Sequence, residues 1–448
     1  MSAFDVLSAW IDGQMAVRAW PGLSIAIVHD QAVVWARGFG WADLERRVAA
    51  TPATRYRVAS ITKTFTATAL LQLRDAGKLR LDDEVRAHLP WFTPATAFAD
   101  APPITIRHLL THTTGLPREA PFPYWTDGVF PTLAQIRGAV ASQSSILPTE
   151  TRWKYSNLAL VVAGEVVAAV SGATWGEYLR HHVLEPLGMR ATLVDTPAAD
   201  DARLARPYGR RLSDGARMAA HDSDVAGISA AAGLTTTVED LSRFVMLQLR
   251  TDASGGDVLR GSTLREMQRV HWLEPEWQAG WGLGFHIMRV GRRTLVGHSG
   301  VLRGYRSEYR FSPAEGIGVI VFINGDDGEP RLVIEKAFDW VAPAIAHPQA
   351  PAPAPDPAWQ RYVGRYRGPM RDTEIVTDGG RLLMIYPELP DPTLAPAVLV
   401  AVGEHRFRIE ANDGFGNYGE SAVFEVDGAD RVIRLRIGPN YSERIEGW

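Results

Sequence analysis

Three short segments carry side chains whose types and spacing suit acyl-transfer chemistry: Ser60-Ile61-Thr62-Lys63, Tyr155-Ser156-Asn157 and His298-Ser299-Gly300. A serine hydroxyl is a weak nucleophile until a neighbouring base takes its proton. Ser60 and Lys63 stand three residues apart, the spacing that brings two side chains to one helix face. The stretch from Phe65 to Ala76 is rich in Ala, Leu and Thr and stops at Gly77, which predicts a largely buried helix with a glycine exit. Ser60 is expected in its first turn, where free N–H groups and the helix dipole favour a developing negative charge. Lys63, with an ordinary pKa of ~10.4, is a base only if burial or a second cation lowers that value. Otherwise it stays charged and supports Tyr155 as the base. The residues leave that division open and predict a coupled pair in which Tyr155 also returns the proton to the leaving group. The Asn157 amide can donate to a substrate carbonyl and accept from Lys63. Behind Gly300, the N–H of Val301 can join that of Ser60 as an oxyanion hole. Trp153, just before Tyr155, is expected in an apolar wall for the acyl or alcohol group.

The three segments, in this order, resemble the motifs of the serine β-lactamase and penicillin-binding-protein superfamily. The likeness is to the branch of class C β-lactamases, DD-peptidases, family VIII carboxylesterases and D-aminopeptidases, and covers residues 5 to 345. It is carried also by "YRVASITKTFTATALLQL", "TIRHLLTHTTGL" and "AAGLTTTVEDLSRF". The resemblance implies Ser60 as acylated nucleophile, Lys63 and Tyr155 as general bases and Asn157 as a positioning residue, with His298 and Gly300 in the third motif. Many relatives begin that motif with lysine, a cation that can hold a substrate carboxylate. His298 is mostly neutral at pH 7, which favours neutral esters or amides. Tyr155 stands where class A enzymes have serine. Glu165, inside an apolar run, reads as a paired helix carboxylate rather than as a deacylating base.

The elements that must position these groups follow from periodicity. Residues 23–30 and 32–40 alternate around Asp30-Gln31 as a hairpin. Strand-like runs at 283–290, 293–298 with 304–312, and 316–324 precede a helical segment at 329–346. The fold class expected is α+β: an antiparallel sheet flanked by helices, with a mainly helical insertion and the active site between the two parts. Residues 1–345 form the hydrolase-like domain and 346–358 a Pro/Ala-rich linker. Residues 359–448 carry short β runs with turns at Asp378-Gly379 and Asp427-Gly428, and are expected to close into a small lipocalin-like barrel. Its role is read as stability or assembly, with covering of the cleft as the alternative.

Composition bounds the function. The 448 residues are 46% hydrophobic and 22% charged with a net charge of −4, and contain no cysteine. Nucleic-acid binding has no electrostatic support, and disulfides and thiolate chemistry are excluded. The N-terminal segment reads as an amphipathic helix and not as a signal peptide, so the cytoplasm is the default location, or the periplasm if a leader was removed. No apolar run is long enough to span a bilayer. No cofactor is implied.

Two rival sites are weighed. Gly297-His298-Ser299-Gly300 resembles a nucleophile elbow, with Asp326 and His347 following, but Val301 and the strand-like run after it do not fit the helix required. His108 and His112 have zinc-like spacing without an acidic partner on the helix. The expected function is therefore a serine hydrolase acting through an acyl-enzyme on carboxylic esters. D-amino-acid peptides or amides are the alternative, with weak β-lactam hydrolysis. The non-enzyme reading is a penicillin-binding sensor or scaffold. The expected partner is a small ester, amide or short peptide, and oligomeric state is left open. Specificity is placed in loops 116–131, 205–228 and 272–282.

Overall fold

The computed structural model describes residues 2–194, 197, 201–218, 220, 224–250, 258–346, 356–378, 380–392, 396–410 and 417–445. It divides into two compact units, Trp20–Ile334 and Met1–Ala19 with Glu335–Trp448. In the first, a nine-stranded antiparallel sheet combines the two ends of the segment. Its strands are β1 (Gly22–His29), β2 (Ala32–Asp43), β3 (Val48–Ala49), β4 (Trp272–Leu273), β5 (Ala279–Trp281), β6 (His286–Val290), β7 (Arg293–Leu302), β8 (Tyr305–Ser312) and β9 (Ile317–Ile323). Their spatial order is β3-β2-β1-β9-β8-β7-β6-β5-β4. The expected hairpin is present, with Asp30 in the left-handed region at its turn. β9 is apolar and buried at every position, as a central strand covered on both faces must be. It pairs with β1 and β8 through registers such as Leu23↔Ile323 and Arg306↔Ile323.

The helices lie mainly between β3 and β4 in sequence, as the apolar patterning required. Helix α1 (Thr62–Asp75) ends at Ala76, and Gly77 follows at φ +72°, so the glycine exit read from the sequence holds. Helix α2 (Asn157–Ser171) is capped by the Ser156 hydroxyl, which accepts the Ala159 N–H, and is buried from Asn157 to Val167. A helix apolar on nearly all sides belongs in a core. Its Glu165 is paired with Arg137, the structural role expected of it. Helix α3 (Val238–Gln248) stacks Phe244 on Phe65 of α1 with ring centroids 4.0 Å apart, and sets the same ring edge-on to Tyr309 of β8. The helix carrying Lys63 and the sheet thus share one core.

In the second unit, strands β10 to β17 (Gly364–Arg367, Asp372–Asp378, Arg381–Ile385, Ala397–Gly403, Arg406–Glu410, Ser421–Val426, Val432–Ile437 and Asn440–Arg444) close into an eight-stranded barrel in sequential order, lipocalin-like in size. Alternate positions point inward, and Tyr362, Tyr366, Phe407 and Phe424 fill the interior. The N-terminal helix, Ala3–Arg18, belongs to this unit: Trp10 meets Trp340 edge-on, and the Ala9 carbonyl accepts from Arg365, itself paired with Glu374 at 2.7 Å. Residues 347–355, most of the expected linker, and Gly379 of one expected turn lie outside the described residues. At the other turn, Asp427 Oδ1 accepts the N–H groups of Ala429 and Arg431.

One close approach ties the sheet to the helix carrying Lys63. Gly284 has φ +82°, and a Cβ built there would lie 2.4 Å from Cβ of Ala67 on α1. Gly284→Ala adds left-handed strain to this overlap and is expected to lower unfolding free energy by about 2–4 kcal/mol in denaturant titration.

Candidate active site

Ser60 does not enter a helix directly. It sits in a 3-10 turn, Ala59–Ile61, that leads into α1, and Ala59 before it holds φ +45°. Such a conformation costs a β-carbon-bearing residue about 1–3 kcal/mol and persists where surrounding structure imposes it. The imposing contacts are visible. Tyr56–Arg57 pairs with Thr235–Thr236, the Val58 N–H bonds the Leu234 carbonyl, and the Thr62 hydroxyl accepts the Leu234 N–H at 3.0 Å. From the other side, Ser307 donates to the Val58 carbonyl at 3.1 Å. Gly300 presses on that same carbonyl so closely that a Cβ there would lie 2.0 Å from its oxygen. The glycine of the third motif therefore has a steric cause, since only a bare Cα lets β7 lie against the turn carrying Ser60.

Lys63 lies at 1% exposure with its Nζ 2.9 Å from Ser60 Oγ and 2.8 Å from the Ala231 carbonyl. Burial pulls its pKa well below the ordinary lysine value, with Glu119 opposing and Arg118 reinforcing. The Tyr155 side chain faces Ser60, which favours its ionised form, and Lys63 Nζ stands 5.0 Å from the Tyr155 ring centroid. Burial raises the phenol above its usual value, and Ser60 and Arg118 only partly offset this. Desolvation thus disfavours both ions, shifting Lys63 toward the amine and Tyr155 toward the phenol.

Tyr155 is bracketed by His112. The His112 carbonyl accepts the Lys154 N–H at 2.8 Å, and its Nδ1 accepts the Ser156 N–H at 3.2 Å, so the residues on both sides of Tyr155 are held. The imidazole lies against the phenol with centroids 4.4 Å apart, and Trp281 meets it edge-on at 4.8 Å. His108, its partner in the zinc-like spacing, is instead engaged in the capping box of Thr105.

Asn157 opens α2 and lines the same cleft, but its amide differs from expectation. Nδ2 donates to Glu119 Oε1 at 2.7 Å, and Oδ1 is buried without a partner among the described residues, while the Lys63 bonds go to Ser60 and Ala231. Glu119 also accepts from the Tyr124 hydroxyl and from Arg118, whose guanidinium carbon lies 5.0 Å from the Tyr155 ring centroid. His298 is buried, and its Nδ1 lies 2.6 Å from the Ser299 carbonyl. A carbonyl can only accept, so the proton is on Nδ1 and Nε2 carries a lone pair. Burial, then Lys63, push its pKa well below the usual imidazole value, so it is neutral. Trp153 stacks on Trp281 at 5.3 Å and 18°, and both line a cleft of about 840 Å³ with Ser60, Tyr155, His298 and Val301.

A family model, beta-lactamase, matches residues 7–343. The chain belongs to the beta-lactamase family. It is 26% identical over 317 residues to Protein flp of Staphylococcus aureus (strain MW2), covering 70% of this chain and 61% of that protein. The chain thus spans about three fifths of the length of such curated relatives. An octameric penicillin-binding protein homologue from Pyrococcus abyssi superposes with TM-score 0.68 at 25% identity, covering 98% of this chain and 99% of that one. A D-stereospecific amidohydrolase from Streptomyces sp. superposes with TM-score 0.63 at 26% identity, covering 75% and 99%.

Within this family fold, every residue expected at the site lies in one place: Ser60, Lys63, Tyr155, Asn157, His298, Gly300, Val301 and Trp153. Ser299 lies inside β7, not at a strand-to-helix turn, which removes the nucleophile-elbow rival; Asp326 is bonded to Arg306 and Gly304, and His347 lies outside the described residues. Sequence reasoning missed Arg118, Glu119, His286 and Arg331, all on the cleft. The first two follow the "HTTGL" landmark after Pro117, and a charged pair early in an expected specificity loop was the available signal. For the bracket, His112→Phe keeps a ring beside Tyr155 but strands the Ser156 N–H. It is expected to cost about 1–3 kcal/mol of stability and to lower kcat about tenfold on an ester substrate with little change in KM. An unchanged kcat would show that the bracket does not orient Tyr155.

Proposed function

We propose that the protein is a serine hydrolase working through an acyl-enzyme on carboxylic esters. The observation that carries this is Ser60 Oγ, bonded to the Lys63 amine at 2.9 Å on a cleft that Tyr155 also lines. The neutral amine takes the hydroxyl proton as Oγ attacks the substrate carbonyl. The oxyanion is received by the backbone N–H groups of Ser60 and Val301, on segments held together by the Gly300–Val58 contact. As the tetrahedral adduct collapses, the departing alkoxide takes the Tyr155 proton, and the phenol is reprotonated from the Lys63 ammonium. Water then repeats the sequence on the acyl-enzyme and releases the acid. The neutral His298 puts no fixed cation at the third motif, which suits an uncharged ester. A second reading, hydrolysis of D-amino-acid amides, is favoured by Glu119, a carboxylate on the cleft that can hold an ammonium group, and by the likeness to the Streptomyces amidohydrolase. β-Lactams are a weaker substrate on either reading.

The test is a panel of p-nitrophenyl esters, D-alanyl anilides and a chromogenic cephalosporin, run on the parent and on Ser60→Ala with intact-mass detection of an adduct. Turnover and adduct should vanish together in Ser60→Ala, and persistence of either sinks the proposal. Lys63→Arg places a cation that cannot give up its proton at the base position and is expected to lower kcat/KM about 10,000-fold.

The pH profile follows from the two shifts. Activity needs Lys63 unprotonated, so it is lost as pH falls through a Lys63 pKa set well below the ordinary value. It also needs Tyr155 protonated, so it is lost only as pH rises through a phenol pKa above the ordinary one. The expected kcat/KM profile has an acid limb and no alkaline limb below about pH 10. An alkaline limb near neutrality would contradict the assignment of Tyr155 as proton donor.

A further inference from the structure

The aromatic stack on the cleft ends in a polar anchor that the roles above do not use. Trp281 lies between Trp153 and His286, the latter stacked on it at 5.1 Å and 27°. Behind His286, the buried Arg310 gives its Nε to Glu308 at 2.7 Å and its two terminal nitrogens to His286, to the carbonyl at 3.1 Å and to Nδ1 at 3.2 Å. A guanidinium only donates, so Nδ1 of His286 is the acceptor and the ring proton sits on Nε2. Two neutral N–H donors therefore belong to this wall: Nε2 of His286, and Nε1 of Trp281, which is buried with no partner among the described residues. Arg331, which shares Glu308 at 3.3 Å, extends the same donor cluster to the cleft lining. Glu119 and Glu274 also line the cleft, so the preference of this wall comes from its donors and not from net charge. A buried donor without an acceptor is unfavourable until a ligand oxygen meets it.

The wall adjoins Tyr155: the ring centroids of Trp281 lie 6.0 Å from Tyr155 and 5.7 Å from His298. On the acyl-enzyme reading, on which this inference rests, Tyr155 returns the proton to the departing alkoxide, so the leaving group passes this side. We propose that Trp281 and His286 form a leaving-group subsite for an oxygen acceptor, a neutral carbonyl or a carboxylate, carried beyond the scissile bond.

The experiment compares butyrate esters of 4-acetylphenol, 4-hydroxybenzoate and 4-ethylphenol in the full-length parent and in Trp281→Phe, His286→Phe and His286→Asn. Taking the parent-to-variant ratio of kcat/KM for each substrate cancels the acidity of its leaving group. Both phenylalanine variants should lose about tenfold more on the acetyl or carboxyl ester than on the ethyl ester. His286→Asn, which keeps an acceptor toward Arg310 and a donor toward the cleft, should recover most of the loss. A loss confined to one of the two oxygen-bearing esters identifies whether carbonyl or carboxylate is read. Equal losses on all three esters, or none, overturn the subsite, and if Trp281→Phe fails to fold the His286 pair decides alone. Calorimetric binding of 4-hydroxyacetophenone, 4-hydroxybenzoate and 4-ethylphenol to the same variants tests the subsite without turnover. An inactive parent that binds the first two through His286 sinks the hydrolase reading and leaves the subsite standing.

Discussion

A buried amine with no carboxylate hydrogen-bonded to it among the described residues is the constraint on which the site depends. Lys63 is sealed at 1% exposure, and its hydrogen bonds go to a serine oxygen and a main-chain carbonyl. Neither can neutralise an ammonium, and water is kept away, so the charged form is the one that burial penalises. The same burial keeps the proton on Tyr155. Burial therefore pushes the two halves of the pair in opposite senses around Ser60, with Arg118 and Glu119 acting beside it. Helix α1, packed against α3 through Phe65 and Phe244, is what holds the amine in that environment.

Ser60 is presented by strain held from outside. Ala59 in the left-handed region turns the chain sharply ahead of Ser60, and the segment is fastened by Leu234 on one side and by Ser307 and Gly300 on the other. The third motif acts here mainly as backbone. Its glycine allows contact between β7 and the turn, and its histidine, tied to the Ser299 carbonyl, is a neutral group with a lone pair rather than a cation. The difference from lysine-bearing relatives is thus chemical as well as steric, because an acceptor has replaced a donor at that position.

Around this centre the aromatic side chains give a wall with polar fixings. Trp153, Trp281 and His286 stack, while His112 and Tyr155 meet them at an angle. Stacked rings fill the cleft side with rigid area, and the hydrogen bonds behind them, from Arg310 to His286 and from Ser156 to His112, fix tautomer and orientation. The cleft accordingly combines apolar faces with a few donors and acceptors of defined direction, the usual composition of a small-molecule site.

The sequence by itself determined the grouping of the cleft residues and most of the scaffold. Ser60, Lys63 and Tyr155 were legible because their spacing and order are local patterns, and the strands and the buried helix because period and punctuation are local too. The position of His112 within a familiar segment was visible, but its grip on Tyr155 was not. That grip joins residues far apart in sequence, as do the Glu119–Asn157 bond and the Arg310–His286–Trp281 stack. Protonation was equally beyond reach, since the same lysine would be charged on a surface and its pKa falls only because the packed core excludes water around it. Residue type and spacing fix which atoms are present. Packing alone decides which of them are desolvated, which meet across the chain and which face a ligand.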